Sequence, residues 1–192
     1  MIDPLANSIV TLIKQDPLRM QILDCVAQLG LPQCYVAAGF VRNLVWDHLH
    51  GHASPTPLND IDVIYFDTID TSYESDLQYE ALLKQRLPEL NWQVRNQACM
   101  HTRNGDEPYQ SSLDAMSYWP EKETAVALKQ SLTGDIECIS SFGLESLFDL
   151  QITPNPKRNR DIFDQRVQSK NWLTHWSKLT TSHSELTFEF KR

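Results

Sequence analysis

The chain has 192 residues, a formal net charge of −8 and 41% hydrophobic residues, the profile of a soluble protein long enough for one well-buried core and short for two. Apolar stretches fall short of the ~20 residues that a bilayer span requires, and the opening "MIDPLANSIVTLIKQDP" lacks the basic, apolar, small-residue order of a secretory signal, so a membrane protein is excluded and a cytoplasmic location is expected. Residues 1–151 hold 9 Lys/Arg against 21 Asp/Glu, and residues 152–192 hold 8 against 4; an acidic body is poorly suited to neutralising the phosphates of a long nucleic acid.

In chain order, "DPLRMQILDCVAQLG" predicts a helix with Asp16 as N-cap, Pro17 at the first helical position, Leu18, Ile22, Leu23 and Val26 inward and Gly30 as the stop. "QCYVAAG" reads as a short buried strand, and "GFVRNLVWDHLHG" as a helix with an apolar stripe of Val41, Leu44, Val45, Trp46 and Leu49 ending at Gly51. After the loop "HASPTPLN", "DIDVIYF" is a strand and "SYESDLQYEALLKQRLPEL" a helix with Leu77, Ala81, Leu82 and Leu87 inward. "NWQVRNQACMH" is read as a strand from the alternation of Trp92, Val94 and Ala98, and "SSLDAMSYW" as a short helix with a serine cap. "TAVALKQ" and "DIECISS" form a hairpin across "SLTG", "FGLESLFDL" is a short helix, and "ITPNPKRNRDIFDQRVQSKNWLTHWSKL" turns into a basic amphipathic helix. The four cysteines, Cys25, Cys34, Cys99 and Cys138, include no C-x-x-C pair, so reduced thiols are expected. The class is α+β (mixed α/β), in a single domain over 1–192 with 152–192 as a basic helical extension.

Chemistry concentrates at the mouth of "DIDVIYF". Side chains alternate along a strand, so Asp60 and Asp62 share a face. Left alone they repel and raise one pKa; a hard divalent cation removes that cost and retains positions for substrate phosphates. Asp67 has the opposite parity. Upstream, "AAGFVRN" ends a strand at Gly39, where backbone can approach a ligand, and opens a helix whose first N–H groups suit an anion, with Arg42 in the first turn.

Gly39-Phe40-Val41-Arg42-Asn43 followed by Asp60-Ile61-Asp62 resembles the signature of the polymerase-beta-type nucleotidyltransferase superfamily. Its nearest form is the head domain of the CCA-adding tRNA nucleotidyltransferases. "WQVRNQACMH", "SLDAMSYWPEKETAVAL", "FGLESLFDL" and "ITPNPKR" are closer still to a family of bacterial nucleotidyltransferase-like proteins, and the likeness covers most of residues 18–175. The resemblance implies a small mixed central sheet flanked by helices. It implies that Asp60 and Asp62 bind Mg²⁺ (or Mn²⁺), that Gly39 makes the turn, that Arg42 and Asn43 lie by the triphosphate of an NTP, and that Phe40 belongs with these three to the nucleotide-binding residues. The tandem glycine of the family is Ala38-Gly39 here, the acidic residue that often follows the arginine is Asn43, and residues 50–59 form a longer loop. A third carboxylate that many active members carry on a neighbouring strand has two candidates by pattern, Glu123 and Glu137, and the choice stays open.

The expected function is Mg²⁺-dependent transfer of a nucleoside monophosphate from an NTP to an acceptor hydroxyl, the acceptor being a small molecule or protein rather than tRNA. The alternative is a non-catalytic nucleotide-binding or protein-interaction module that retains the fold. In "RNQACMH", Asn96 and His101 either meet water at an edge or contact the base or ribose. His48, His50 and His52 read as solvated loop residues, since Gly51 breaks the helix between them; Trp172 and Trp176 as the docking face of the tail; and Lys157, Arg158 and Arg160 as a solvated basic run.

Overall fold

The computed structural model of the chain describes residues 3–182. Two Asp-Pro pairs open the first two helices: Asp3 caps α1 (Pro4–Lys14) by accepting from the Leu5 N–H, and Asp16 caps α2 (Pro17–Ala27) by accepting from the Arg19 N–H. α1 is not among the predicted helices, although it carries the same start signal, with Ile9 and Ile13 one turn apart and fully buried. The strand β1 (Tyr35–Ala37) leads into α3 (Gly39–His50), which ends as predicted on Gly51 at φ 68°. Then come β2 (Ile61–Tyr65), α4 (Tyr73–Arg86), β3 (Trp92–Asn96), α5 (Gln97–Asn104), α6 (Ser112–Met116) and a 3-10 turn (Lys122–Thr124). The hairpin β4 (Val126–Gln130) and β5 (Ile136–Ser140), α7 (Glu145–Phe148), β6 (Gln151–Ile152), α8 (Arg160–Ser169), α9 (Trp172–His175) and β7 (Thr180–Thr181) complete the order.

Five strands form one mixed sheet in the order β3-β2-β1-β4-β5, antiparallel except where β2 meets β3 in parallel; β6 and β7 pair separately. The expected α+β class, a mixed sheet flanked by helices, is the fold observed. One sheet face, carrying Val36, Val63, Val94 and Leu128, is buried in the main core with α1, α2 and α3. The other carries Tyr35, Ala37, Ile64 and Ala127, packed on Met116 of α6. Across this second face runs one row of directly opposed residues: Gln93, Asp62, Ala37, Ala127 and Ile139. Ala37 and Ala127 are fully buried against Met116, whereas Asp62 and Gln93, at the β3 end of the row, reach a cleft.

Three predicted elements differ in detail. Leu77, Ala81 and Leu82 of α4 face solvent, and Leu87 is half-buried; the inward face is Asp76, Tyr79 and Leu83. Asp76 turns inward because it accepts from the Tyr65 hydroxyl (2.8 Å) and the Asn96 N–H (3.1 Å), a polar anchor that apolar periodicity does not register. The segment 91–101 is a strand only to Asn96, whose side chain accepts from the Ala98 N–H and starts α5. The tail is not one helix: Asn171, at φ 53°, separates α8 from α9, a conformation asparagine tolerates. The end of the expected extension, 183–192, lies outside the described residues.

Trp172 and Trp176 dock the tail as expected, edge-on to the fully buried Trp46 at centroid distances of 6.0 and 5.1 Å. In the basic run before α8, Arg158 is tied to the body, while Lys157 and Arg160 keep the surface position expected of them. Arg158 pairs with Asp106, and Lys157 donates to Ser117 Oγ and covers the Tyr118 ring, while Arg160 pairs at the surface with Asp164. The histidines also clasp the tail: His50 Nε2 accepts from the Lys178 N–H, and His175 Nε2 lies 2.8 Å from Thr56 Oγ1. Only His48 of the predicted trio fits the solvated reading fully.

At the centre of this clasp, buried Asp47 accepts from the Thr56 N–H and hydroxyl (2.6 Å each) and from Trp176 Nε1 (2.8 Å), with His52 Nδ1 at 2.9 Å. Burial pushes its carboxyl up, but the hydrogen bonds from Thr56, Trp176 and His52 outweigh that and hold it below the usual carboxylate range. A folded pKa below the unfolded value, near 4, adds stability above that value and loses it as pH falls through the folded pKa. Asp47→Ala is expected to cost about 2–3 kcal/mol at pH 7, the penalty for stranding these donors. The difference from wild type should shrink as urea denaturation is repeated toward pH 3.

Candidate active site

The strand-to-helix turn after β1 is the first component. Ala38 sits at φ 58°, ψ −123°, donates its N–H to the Val126 carbonyl, and accepts from the Val41 and Arg42 N–H groups. Few side chains tolerate that conformation, so the substitution of alanine for the family's tandem glycine leaves strain in the turn. α3 has no side-chain cap at its N-terminus, so its leading N–H groups, with no intrahelical acceptor, are open to an anion. Gly39 lines the adjoining cleft; a Cβ there would stand 3.4 Å from Asn43 Nδ2 and 3.5 Å from an Arg42 guanidinium nitrogen.

Arg42 is the second component. Its guanidinium is 6% exposed, donates to Thr124 Oγ1 (2.6 Å) and Asn43 Oδ1 (3.1 Å), and lies over the rings of Trp172 (4.4 Å) and Trp46 (5.0 Å). It is in no ion pair among the described residues. Burial lowers its pKa to about 10, against the pull of Glu121, Asp62 and Glu123. A charge this far from water without a direct counter-ion is expensive. It faces a cleft of about 400 Å³ lined by Gly39, Arg42, Asn43, Asp60, Asp62 and Lys170, among others.

The carboxylate pair is the third. Asp62 lies within β2 opposite Ala37, and Asp60 just before the strand accepts from Asn91 Nδ2 (2.6 Å). Both line the cleft. Burial raises the Asp62 carboxyl above the ordinary range, Asp60 raises it further, and Arg42, Lys170 and Arg166 only partly compensate. Two hard oxygen donors held together against their own repulsion fit a small divalent cation.

The tail supplies groups that the sequence did not point to. Arg166 of α8 is held by the buried Glu121 and lines the cleft together with Lys170, which is exposed and in no ion pair among the described residues. Their only sequence signal was the basic bias of residues 152–192. Asp60 and Asp62 also border a second lobe of about 400 Å³, on the side of β3 and α5, with Gln93, Arg95, Gln97, Met100, Arg103 and Trp119 in its walls.

Other predicted residues fall elsewhere. Phe40 is fully buried, its carbonyl accepting from Arg19 Nε, and it supports the turn from inside the core. Asn96, 2% exposed, is spent within the fold: its Oδ1 accepts from the Asp67 and Ala98 N–H groups and its Nδ2 donates to the Asp67 and Asp70 carbonyls. It has no group left for a base. His101 has Nδ1 2.9 Å from the Ala98 carbonyl, packs on Tyr109 and lines neither lobe. Glu137 shares the sheet face of Asp62 but is paired with Lys129 on the outer strand β5, three strand spacings or about 14 Å away. Glu123 is buried, accepts from the Thr153 N–H, leaves Oε1 without a partner, and lines neither lobe. Beside Asp62 on β3 the sequence places Gln93, an amide, opposite it in register.

A family model described as Nucleotidyltransferase matches residues 24–181 of this chain. The chain belongs to that family. The chain is similar to a protein whose NMR structure was described as revealing a CCA-adding enzyme head domain, at 35% identity and TM-score 0.80 over 93% of this chain and 96% of that one. The fold is shared, at 15% identity and TM-score 0.58, with a Thermotoga maritima CCA-adding enzyme complexed with tRNA, matched over 92% of this chain and 42% of that one. It is shared too with a CCA-adding enzyme in complex with CTP, at 14% identity and TM-score 0.58, over 91% and 43%. The chain thus spans less than half the length of these two enzymes. No match was found among curated protein sequences.

Two stability changes follow from the turn and the acid pair. Ala38→Gly should stabilise by about 1 kcal/mol by relieving the positive φ, read from the urea midpoint. Asp62 has the opposite sign to Asp47: a folded pKa raised above the unfolded value makes ionisation cost stability at higher pH. Asp62→Asn should therefore raise the Tm at pH 7 without added metal, with the gain vanishing near pH 3, where both forms are uncharged.

Proposed function

We propose that the chain binds an NTP with Mg²⁺ (Mn²⁺ serving in its place) and transfers the nucleoside monophosphate to an acceptor, releasing pyrophosphate. The observation that supports this best is the buried guanidinium of Arg42, in no ion pair among the described residues and set between an uncapped helix N-terminus and a carboxylate pair. An anion pocket and a cation pocket lie side by side, as an NTP–metal complex requires. Asp60 and Asp62 would hold the metal. When bound, it supplies charge neutralisation at the phosphate oxygens as the α–β phosphate bond breaks. The N–H groups opening α3, with Gly39 allowing close approach, receive phosphate oxygens; Arg42 and Lys170 neutralise the charge that accumulates on the leaving pyrophosphate. Asn43 orients Arg42 through its Oδ1, and Trp172 and Trp46 keep the guanidinium dry and flat.

The structural relatives that hold CTP and tRNA make CTP and an RNA 3′ end necessary members of any substrate panel. The second reading, nucleotide binding without turnover, draws on one observation: among the described residues, neither lobe is lined by a carboxylate other than Asp60 and Asp62.

The test is incubation of the protein with each γ-labelled NTP and Mg²⁺ or Mn²⁺ in the presence of cell-extract metabolites, scoring labelled pyrophosphate. Wild type should release it, and Asp60→Ala/Asp62→Ala should not. Arg42→Gln should weaken NTP binding by about 10- to 100-fold, the worth of hydrogen bonds to a charged group. NTP binding with no pyrophosphate from any fraction would establish the non-catalytic reading instead.

A further inference from the structure

The second lobe has a composition at odds with the rest of the chain. In a protein of net charge −8, its walls beyond Asp60 and Asp62 carry Arg95, Arg103, Arg166 and Lys170, the amides of Gln93 and Gln97, and the apolar Met100, Trp119 and Pro120. Arg95 is committed to Glu80 and the Val94 carbonyl, and buried Gln97 donates to the Arg95 carbonyl. Arg103, exposed on α5, is in no ion pair among the described residues. The lobe shares Asp60 and Asp62 with the first cleft, so a ligand in it would meet an NTP in the first cleft across the acid pair.

A hydroxyl nucleophile has to lose its proton as it attacks phosphorus, and a positioned carboxylate ordinarily receives it. Here the residue opposite Asp62 on β3 is Gln93, which cannot accept a proton. Glu123 faces the Thr153 backbone outside both lobes, and Glu137 is on the far edge of the sheet. A phosphate monoester needs no such base: with a second pKa near 6 it is mostly dianionic at pH 7.5, and arginines and amides are the groups that receive it.

Resting on the nucleotidyl-transfer reading above, we propose that the second lobe is the acceptor site and that the acceptor is a small phosphate monoester whose phosphate, not a hydroxyl, is the nucleophile. A non-bridging phosphate oxygen forms the new bond to the α-phosphorus of the NTP as the α–β bridging P–O bond breaks. The bonding pair leaves on pyrophosphate, and the product is a phosphoanhydride. No proton is removed from the nucleophile. Gln93 donates to the incoming phosphate, Arg103 neutralises it, and Met100 and Trp119 pack on its organic part. Arg42 serves the NTP and Arg103 the acceptor, so two polyanions meet with separate counter-charges.

The experiment has a binding arm and a turnover arm. In the first, the protein is saturated with Mg²⁺ and the α,β-methylene analogue of its best NTP, then titrated with phenyl phosphate or benzyl alcohol while amide resonances are followed by NMR. Phenyl phosphate is expected to shift signals around Gln93, Gln97 and Arg103, benzyl alcohol to shift none, and Arg103→Glu to weaken the effect at least tenfold. In the second, pyrophosphate release is compared for a panel of phosphate monoesters and the corresponding alcohols, including an RNA 3′ hydroxyl. Release should require the phosphate, and Gln93→Glu should lower it at least tenfold. Equal use of the alcohols, use of the RNA hydroxyl, or phenyl phosphate that binds nowhere or only in the first cleft would overturn the assignment. Absence of any NTP binding would instead remove the function proposed in the preceding section, and this inference with it.

Discussion

A positive charge withdrawn from water organises this protein's cleft. The Arg42 guanidinium is enclosed by Trp46 and Trp172, tied to Thr124 and Asn43, and given no carboxylate of its own among the described residues. Desolvation of an unpaired cation is unfavourable, so the folded state must hold it by packing, and that packing comes from distant parts of the chain. Trp46 belongs to the same helix, Trp172 to the tail and Thr124 to the turn before β4. Remove any one and the charge would relax toward water. The cleft is in this sense stressed, with an electrostatic deficit that an anionic ligand repairs.

The acid pair is the complementary stress. Asp62 is raised above its ordinary pKa by burial and by Asp60, and it stands between Ala37 and Gln93 in a row that crosses the sheet. Met116 covers the alanines of the two neighbouring strands, while Asp62 and Gln93 line the cleft. Positive and negative deficits lie within one pocket without cancelling, because Arg42 is held at the helix opening and the acids at the strand entrance. The strained turn at Ala38 has a place in the same economy, aiming uncapped N–H groups at the cleft.

The tail is part of the site rather than an appendage. The Asp47 network with Thr56, His52 and Trp176 anchors α9, and Glu121 anchors α8 through Arg166. Together they bring Lys170 and Trp172 to the rim. Asp47, His52 and His175 also bring ligand atoms within 4.8 Å of one another, but Asp47 and His175 already have hydrogen-bond partners there, which makes the cluster a structural clasp.

Much of this was legible in the residues themselves. The helix over Gly39–His50, the β4–β5 hairpin and the shared face of Asp60 and Asp62 follow from local rules: period, caps, turn residues and side-chain parity are properties of a few consecutive positions. What only the tertiary structure decided is everything that depends on partners far along the chain. Leu77 and Leu82 face water because Asp76 has a hydrogen-bonded place inside; Asn96 is consumed by Asp67 and Asp70; Glu137 is on the correct face but on the wrong strand, a matter of sheet order rather than spacing. Lys170 and Arg166 reach the cleft only because two tryptophans and a buried glutamate fold the tail back. A sequence states which groups exist and how neighbours are oriented, whereas burial and pairing are set by the whole fold, and in this cleft it is burial and missing partners that create the chemistry.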